Sequence, residues 1–277
     1  VLAALAAGPL RAQHASDEEV PFITTPDRVT LAMLQLAGVG PADRLIDLGS
    51  GDGRIVITAA RRFGARGLGV DIVPDLVARS QASAVQAGVA DRVQFRVQDL
   101  FDTDLAGASV ITLYLLPEVN LKLRPRLLAL PAGTRIVSHD WDMADWPPDR
   151  TLTLDVPEKA IGREKLSRLH LWVVPARLQG LWCGPGGVVL EVQQRFQGVR
   201  AALLAGGLRL QLLGRIDGRQ LRLLAGGDGG HGWLAMAEDD GRLHIQLAPP
   251  GAALQAGQRL RPAVGNACPG GDAGATP

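Results

Sequence analysis

Leu45-Ile46-Asp47-Leu48-Gly49-Ser50-Gly51-Asp52-Gly53-Arg54 joins an apolar strand to a glycine-spaced turn, and the helical pattern Ile55-Val56, Ala59-Ala60, Phe63 follows at once. Glycines at 49, 51 and 53 let the backbone turn sharply and let a ligand approach without meeting a Cβ. The helix that opens there directs unpaired N–H groups and a positive dipole end at that ligand. In the dinucleotide-binding fingerprint the third glycine stands three places after the second. Here that place is Arg54, so the spacing is G-x-G-x-G and a nicotinamide-dependent oxidoreductase is disfavoured. Alone, such a loop also suits an ordinary glycine-rich βα turn.

The next strands narrow the choice. Arg66-Gly67-Leu68-Gly69-Val70-Asp71 is an apolar run ending in an acid 24 places after Asp47. A carboxylate at the end of the second strand of a βαβ unit is placed to accept hydrogen bonds from ribose hydroxyls. The run 92–97 is followed by Gln98-Asp99-Leu100. Any one such acid suits a solvated strand end, whereas three in register after three successive strands point to a ligand.

This pattern resembles the class I methyltransferases that use S-adenosylmethionine (SAM). Together with the entry Pro21-Phe22-Ile23-Thr24-Thr25-Pro26, it resembles more narrowly a small family of lysine methyltransferases. The mitochondrial members of that family modify the c-subunit of ATP synthase and the ADP/ATP carrier, and bacterial relatives carry secretion-type leaders. The resemblance covers roughly residues 20–145. It implies SAM as cofactor, with Thr24 and Thr25 over its methionine part. Asp47, Gly49, Ser50, Gly51, Asp52 and Gly53 would surround the amino-acid end, Asp71 with Ile72 the ribose, and Asp99 with Leu100 the adenine. This chain departs from the mitochondrial members in having a signal-like leader in place of their membrane segment, and in carrying a second, β-rich domain.

Strand and helix patterns alternate from 44 to 139: strands 44–48, 66–71, 92–97, 109–115 and 135–139, and helices 54–63, 75–87 and 117–130, the last expected to kink or divide at Pro125. Alternation of this kind gives a parallel sheet covered by helices. The runs 151–156 and 169–174 read as a closing hairpin. The expected fold is therefore α/β, a seven-stranded Rossmann-like methyltransferase sheet over 20–175, followed by a small antiparallel β domain over 176–263. In that second part, runs at 188–196, 208–213, 220–224, 233–236 and 243–247 alternate apolar with polar between Gly206-Gly207, Asp217-Gly218, Gly226-Gly227 and Asp240-Gly241. They suggest a sandwich or a partly closed barrel. Residues 264–277 are rich in glycine, alanine and proline and are expected to be disordered.

With 277 residues, 47% hydrophobic and 21% charged, the composition is that of a globular protein with ample core. A net charge of +1 without a basic cluster argues against a general polyanion binder. Residues 1–19 combine a short apolar run with a polar stretch and read as the hydrophobic and cleavage part of a secretory leader, too short to span a bilayer. Export or membrane tethering is the expectation, with a cytoplasmic location as the alternative. Cys183 and Cys268 form no metal pattern; they are either one disulfide or two separate thiols.

Methyl transfer from a sulfonium is an in-line displacement, so the protein mainly positions the reactants and excludes water. In the related fold the ends of the fourth and fifth strands face the methyl group. Tyr114 and Pro117 lie at the first, and His139, Asp140 and Asp142 at the second. Tyr114, His139 and Asp140 are the catalytic candidates. An acidic, partly aromatic rim suits an amine, on a protein lysine or a small molecule, and repels a polyanionic nucleic acid. Trp172 and Trp182 read as core and domain-junction residues. A non-catalytic SAM-binding module whose β domain holds a partner is the competing class.

Overall fold

The structure, a computed structural model, describes residues 23–159, 164–225, 233–265 and 267–268. The leader (1–19), the beginning of the entry segment and the Gly226-Gly227 turn lie outside the described residues.

A seven-stranded sheet forms the first half. Its strands are β1 (Arg44–Leu48), β2 (Arg66–Asp71), β3 (Val93–Val97), β4 (Val110–Leu113), β5 (Arg135–His139), β6 (Arg150–Asp155) and β7 (Leu166–Val173). Their spatial order is β3-β2-β1-β4-β5-β7-β6, the first five parallel and β7 antiparallel to both neighbours. The order reverses between β1 and β4, and in open α/β sheets that switch point is where ligands bind, outside the strands' carboxyl ends. The helices are α1 (Asp27–Leu36), α2 (Arg54–Phe63), α3 (Pro74–Gln86) and α4 (Pro117–Leu128). Val56, Ala59 and Ala60 of α2 join Val29 and Met33 of α1 in one core, while Leu123 and Leu127 of α4 pack with Ile111 and Trp172 in another. Trp172 is fully buried, as expected.

Pro125 does not divide α4, which runs as one helix through it. The carbonyl that Pro125 leaves without a donor belongs to Leu121, an exposed residue on the solvent side, where water can take it.

The second half is a closed antiparallel barrel of eight strands: β8 (Gly180–Cys183), β9 (Val189–Arg195), β10 (Gly198–Ala205), β11 (Leu208–Asp217), β12 (Gln220–Ala225), β13 (Trp233–Asp239), β14 (Arg242–Leu247) and β15 (Arg259–Pro262). Closure through β15–β8 leaves the described strands of the barrel no free edge to pair with another chain. The interior is apolar, with Trp182, Leu190, Leu221, Met236 and Leu260 buried. Cys183 and Cys268 are disulfide-bonded, so the expected disorder from 264 does not begin there: Val264 bridges Ala267, and Cys268 is tied to β8.

The barrel docks on the sheet through the segment between β5 and β6. Asp149 accepts hydrogen bonds from Val173 N at 2.7 Å and Gln197 Nε2 at 3.1 Å, and pairs with Arg215. Asp145 takes Arg124 at 2.5 Å and Arg195 of the barrel at 3.2 Å. The Phe196 ring stacks on Trp146 with centroids 6.1 Å apart, the tight turn holding Phe196 at φ +52°.

Candidate active site

The glycine loop between β1 and α2 turns through positive φ at Gly49, Gly51 and Gly53. A Cβ on Gly53 would stand 2.7 Å from the Phe95 ring and 2.8 Å from the Ser80 Cβ, so this position tolerates no side chain. The loop satisfies its own donors. Gly49 N and Ser50 N both donate to the Val70 carbonyl, Gly53 N to the Ser50 carbonyl, and Gly51 N to Asp71 Oδ2 at 2.8 Å. These N–H groups are therefore not free to cradle a pyrophosphate.

Carboxylates surround the loop instead. Asp47 is buried and accepts from Thr112 Oγ1 at 2.7 Å. Burial first, and then the charges of Asp71 and Asp52, push its carboxyl up to about 7, against the Thr112 hydrogen bond. Asp71 Oδ1 accepts from Val73 N at 3.0 Å, which fixes the carboxylate at the end of β2. Asp52 is held below the usual carboxylate range by Arg54, whose hydrogen bonds and charge outweigh partial burial. Arg54 Nη2 lies 2.5 Å from Asp52 Oδ2, and its Nη1 donates to the Thr25 carbonyl at 2.7 Å. Through Arg54 the first turn of α2 grips the entry segment. Thr25 is buried by this grip, and Thr24 is exposed.

The acids at the ends of β1 and β2, with Asp52 between them, favour a ligand that brings positive charge, and SAM brings a sulfonium and an ammonium. Exposed apolar groups flank the next two acids: Ile72 beside Asp71, and Phe101 beside Asp99. Asp99 Oδ1 accepts from Phe101 N at 2.7 Å, which leaves its other oxygen for an amine donor. Leu100 is half-buried there. These residues fit SAM, which would supply the activated methyl. Phe101 and Thr112 escaped the sequence reading, since neither belongs to a spacing pattern.

Across the loop, Leu115 Cδ2 lies 2.9 Å from the place of a Cβ on Gly49, so the chain after β4 closes against the loop. Tyr114 is half-buried and stacks on the His139 ring, centroids 4.0 Å apart. Burial and the nearby Asp140 charge push its hydroxyl up to about 12, so it stays protonated as a hydrogen-bond donor. His139 is fully buried beneath it, with Nε2 2.9 Å from Ser167 Oγ and Nδ1 without a partner among the described residues. Burial pushes its pKa down to about 4, against the pull of Asp140. A neutral imidazole under the rim is a support for Tyr114 more than a surface contact.

Asp140 holds a strained backbone at φ +63°. Its N–H donates to the Arg168 carbonyl and its Oδ1 accepts from Arg168 N at 3.1 Å, pinning it to β7. Its Oδ2 faces His139 Nε2 at 3.6 Å and Lys159 Nζ at 2.7 Å. Lys159 is a further residue that sequence reading passed over; its signal was rarity, for lysine occurs only at 122, 159 and 165. Asn120 is buried at the start of α4, with Nδ2 3.3 Å from Ser138 Oγ and 3.4 Å from the Trp141 carbonyl. Asp142, Trp141 and Leu116 are exposed around the rim, and Pro117 opens α4 beside Tyr114.

Comparison with known proteins agrees with this fold and with SAM as cofactor. Residues 47–150 match the family model described as the ANTKMT methyltransferase domain. A protein-lysine N-methyltransferase from Saccharolobus islandicus is 37% identical over 138 residues, 49% of this chain and 86% of that protein. The adenine nucleotide translocase lysine N-methyltransferase of Mus musculus is 34% identical, over 47% of this chain and 57% of its own length. The lysine N-methyltransferase of the ATP synthase c-subunit from the same species is 36% identical, over 39% and 43%. This chain thus spans about half of each mouse protein. A crystal structure described as an RNA methyltransferase from Salinibacter ruber, in complex with S-adenosyl-L-homocysteine, is 50% identical with a TM-score of 0.52. It covers 56% of this chain and 96% of that one.

Proposed function

Because this chain belongs to the SAM-dependent methyltransferase family of the ANTKMT domain, we propose that it transfers the methyl group to the ε-amine of a protein lysine. The observation that carries this reading is the Asp140 carboxylate at the rim, which holds a lysine ammonium 2.7 Å away beside the Tyr114–His139 stack. An incoming lysine is recognised as a cation by Asp140, ordered by the Tyr114 ring and deprotonated before attack. The lysine-directed names of the relatives support the same acceptor. Cofactor contacts fall to Thr24, Thr25, Asp47, Gly49, Ser50, Gly51, Asp52, Gly53, Asp71, Ile72, Asp99 and Leu100.

A second acceptor, RNA, is favoured by the Salinibacter relative, which is described as an RNA methyltransferase. Asp140 and the exposed Asp142 oppose it, because they repel a phosphate backbone close to the methyl group. Exported or tethered placement is supported by the leader pattern of residues 1–19 and by the Cys183–Cys268 disulfide, which persists in oxidising compartments.

The test is a competition. The enzyme receives SAM with a radiolabelled methyl group together with a membrane extract, a periplasmic extract and total RNA. Label that resists nuclease and is released by protease supports the lysine reading; label that survives protease and is lost to nuclease overturns it.

A further inference from the structure

Of the 29 lysines and arginines, lysine takes only positions 122, 159 and 165. Where arginine is the default cation, a retained lysine matters most where the two differ in chemistry. Arginine stays protonated in proteins, whereas lysine can release its proton and become a nucleophile. Lys159 stands in such a place. Its Nζ donates to Asp140 Oδ2 at 2.7 Å and to the Leu166 carbonyl at 2.5 Å, and its side chain is only 12% exposed. Asp140, His139 and Tyr114 form a continuous row from this amine to Leu115, which closes against Gly49 of the glycine loop. The β6–β7 connection therefore delivers a lysine of the chain itself to the acceptor rim.

We propose that Lys159 is itself a methyl acceptor, a self-modification site built into the rim. The inference rests on the lysine reading of the same site and deepens it. In the step, the Lys159 ammonium gives one proton to the Asp140 carboxylate, which passes it to water. The freed lone pair forms the N–C bond to the sulfonium methyl as the C–S bond breaks, and the electron pair of that bond stays on sulfur. The products are methyllysine and S-adenosylhomocysteine, and no further reactant is needed. The step requires rotation of the four-carbon stem, which must carry the amine from Asp140 toward the methyl group. A first methyl leaves two N–H donors, one each for Asp140 and the Leu166 carbonyl; a second leaves only one for both, so dimethylation loosens the contact that fills the rim.

The test reads mass. The full chain is digested as isolated from cells, and again after incubation with SAM carrying a trideuterated methyl group. A methyl on the Lys159 peptide is expected, with Lys122 and Lys165 bare. The signal should vanish in Lys159→Arg, which keeps the ion pair, and the rate should fall at least tenfold in Asp140→Asn. The rate should not depend on protein concentration; a rate proportional to concentration overturns modification of the molecule's own rim. Label on an added tetralysine peptide with Lys159 bare overturns the self-modification and leaves the lysine reading standing. Label on neither, while calorimetry shows SAM bound, overturns both.

Discussion

Asp47 and His139 are both buried titratable groups, and burial moves them in opposite directions. An unfolded chain releases the Asp47 proton near 3.8, while the folded protein keeps it up to about 7. Across that window the folded state holds more protons, so Asp47 takes away stability as pH rises. His139 binds a proton near 6.5 when unfolded and only at about 4 when folded. It therefore takes away stability as pH falls through that interval. The effects are on the order of 4 kcal/mol for Asp47 and 3 kcal/mol for His139, and their slopes cancel where the windows overlap, between about pH 4 and 6.5. Urea unfolding of the ligand-free protein should show a nearly flat stability there. Asp47→Asn should unmask a rise with pH, and His139→Gln a fall; parallel profiles in all three proteins would refute this assignment. Asp71 carries the second prediction at this scale. Its loss deprives ribose hydroxyls of a charged acceptor and should weaken SAM binding by about 1.5–3 kcal/mol, measured by calorimetry. Unchanged affinity in Asp71→Ala would remove it from the ribose.

At the scale of elements, the first turn of α2 and the entry segment act as one clamp. Arg54 joins them through the Thr25 carbonyl and Asp52. Arg54→Ala should weaken SAM binding at least tenfold, and Arg54→Lys should recover little, because an ammonium cannot span both partners as a planar fork does. Full recovery by lysine would show that charge alone matters. The first three parallel strands were legible in the sequence because each apolar run carries an acid at or just beyond its end, as at Asp47, Asp71 and Asp99, and the first two meet a helix pattern. Three barrel strands were not. β10 reads Gly198-Val199-Arg200-Ala201-Ala202-Leu203-Leu204-Ala205, an alanine–leucine run without period two. β8 and β15 have four residues each, and β15 ends in Pro262. Their pairing comes from closure of the barrel, a long-range fact that no local window carries. The site divides in the same way: the loop acids follow a spacing, whereas Arg54, Thr112, Ser167 and Lys159 act through contacts between distant segments.

For the whole molecule, the barrel braces the segment that follows Asp140. Arg195, Phe196, Gln197 and Arg215 hold residues 145–149, so the second half of the chain braces the segment that follows the proposed acceptor rim. Asp149→Ala should cost about 1–2 kcal/mol, chiefly because it leaves Val173 N and Gln197 Nε2 without their acceptor, the half-exposed Arg215 turning to water. In a calorimetric scan it should split one unfolding transition into two, leaving SAM affinity unchanged; a single unshifted transition would contradict the brace. Reduction of the disulfide, whose cysteines lie 85 residues apart around the barrel, should lower barrel stability by about 2–4 kcal/mol, again without changing SAM affinity. The proposed function thus divides the molecule into a SAM pocket on β1 and β2 and an amine rim on β4 and β5. Steady-state transfer to a tetralysine peptide, measured for the wild type and Asp140→Asn beside calorimetric SAM affinity, tests that division most directly. The prediction is methyllysine in the hydrolysed product, a KM for the peptide raised at least tenfold in the variant, and the same SAM affinity in both. Methylated nucleoside in place of methyllysine when RNA is supplied with the peptide, or an unchanged KM in the variant, would contradict it.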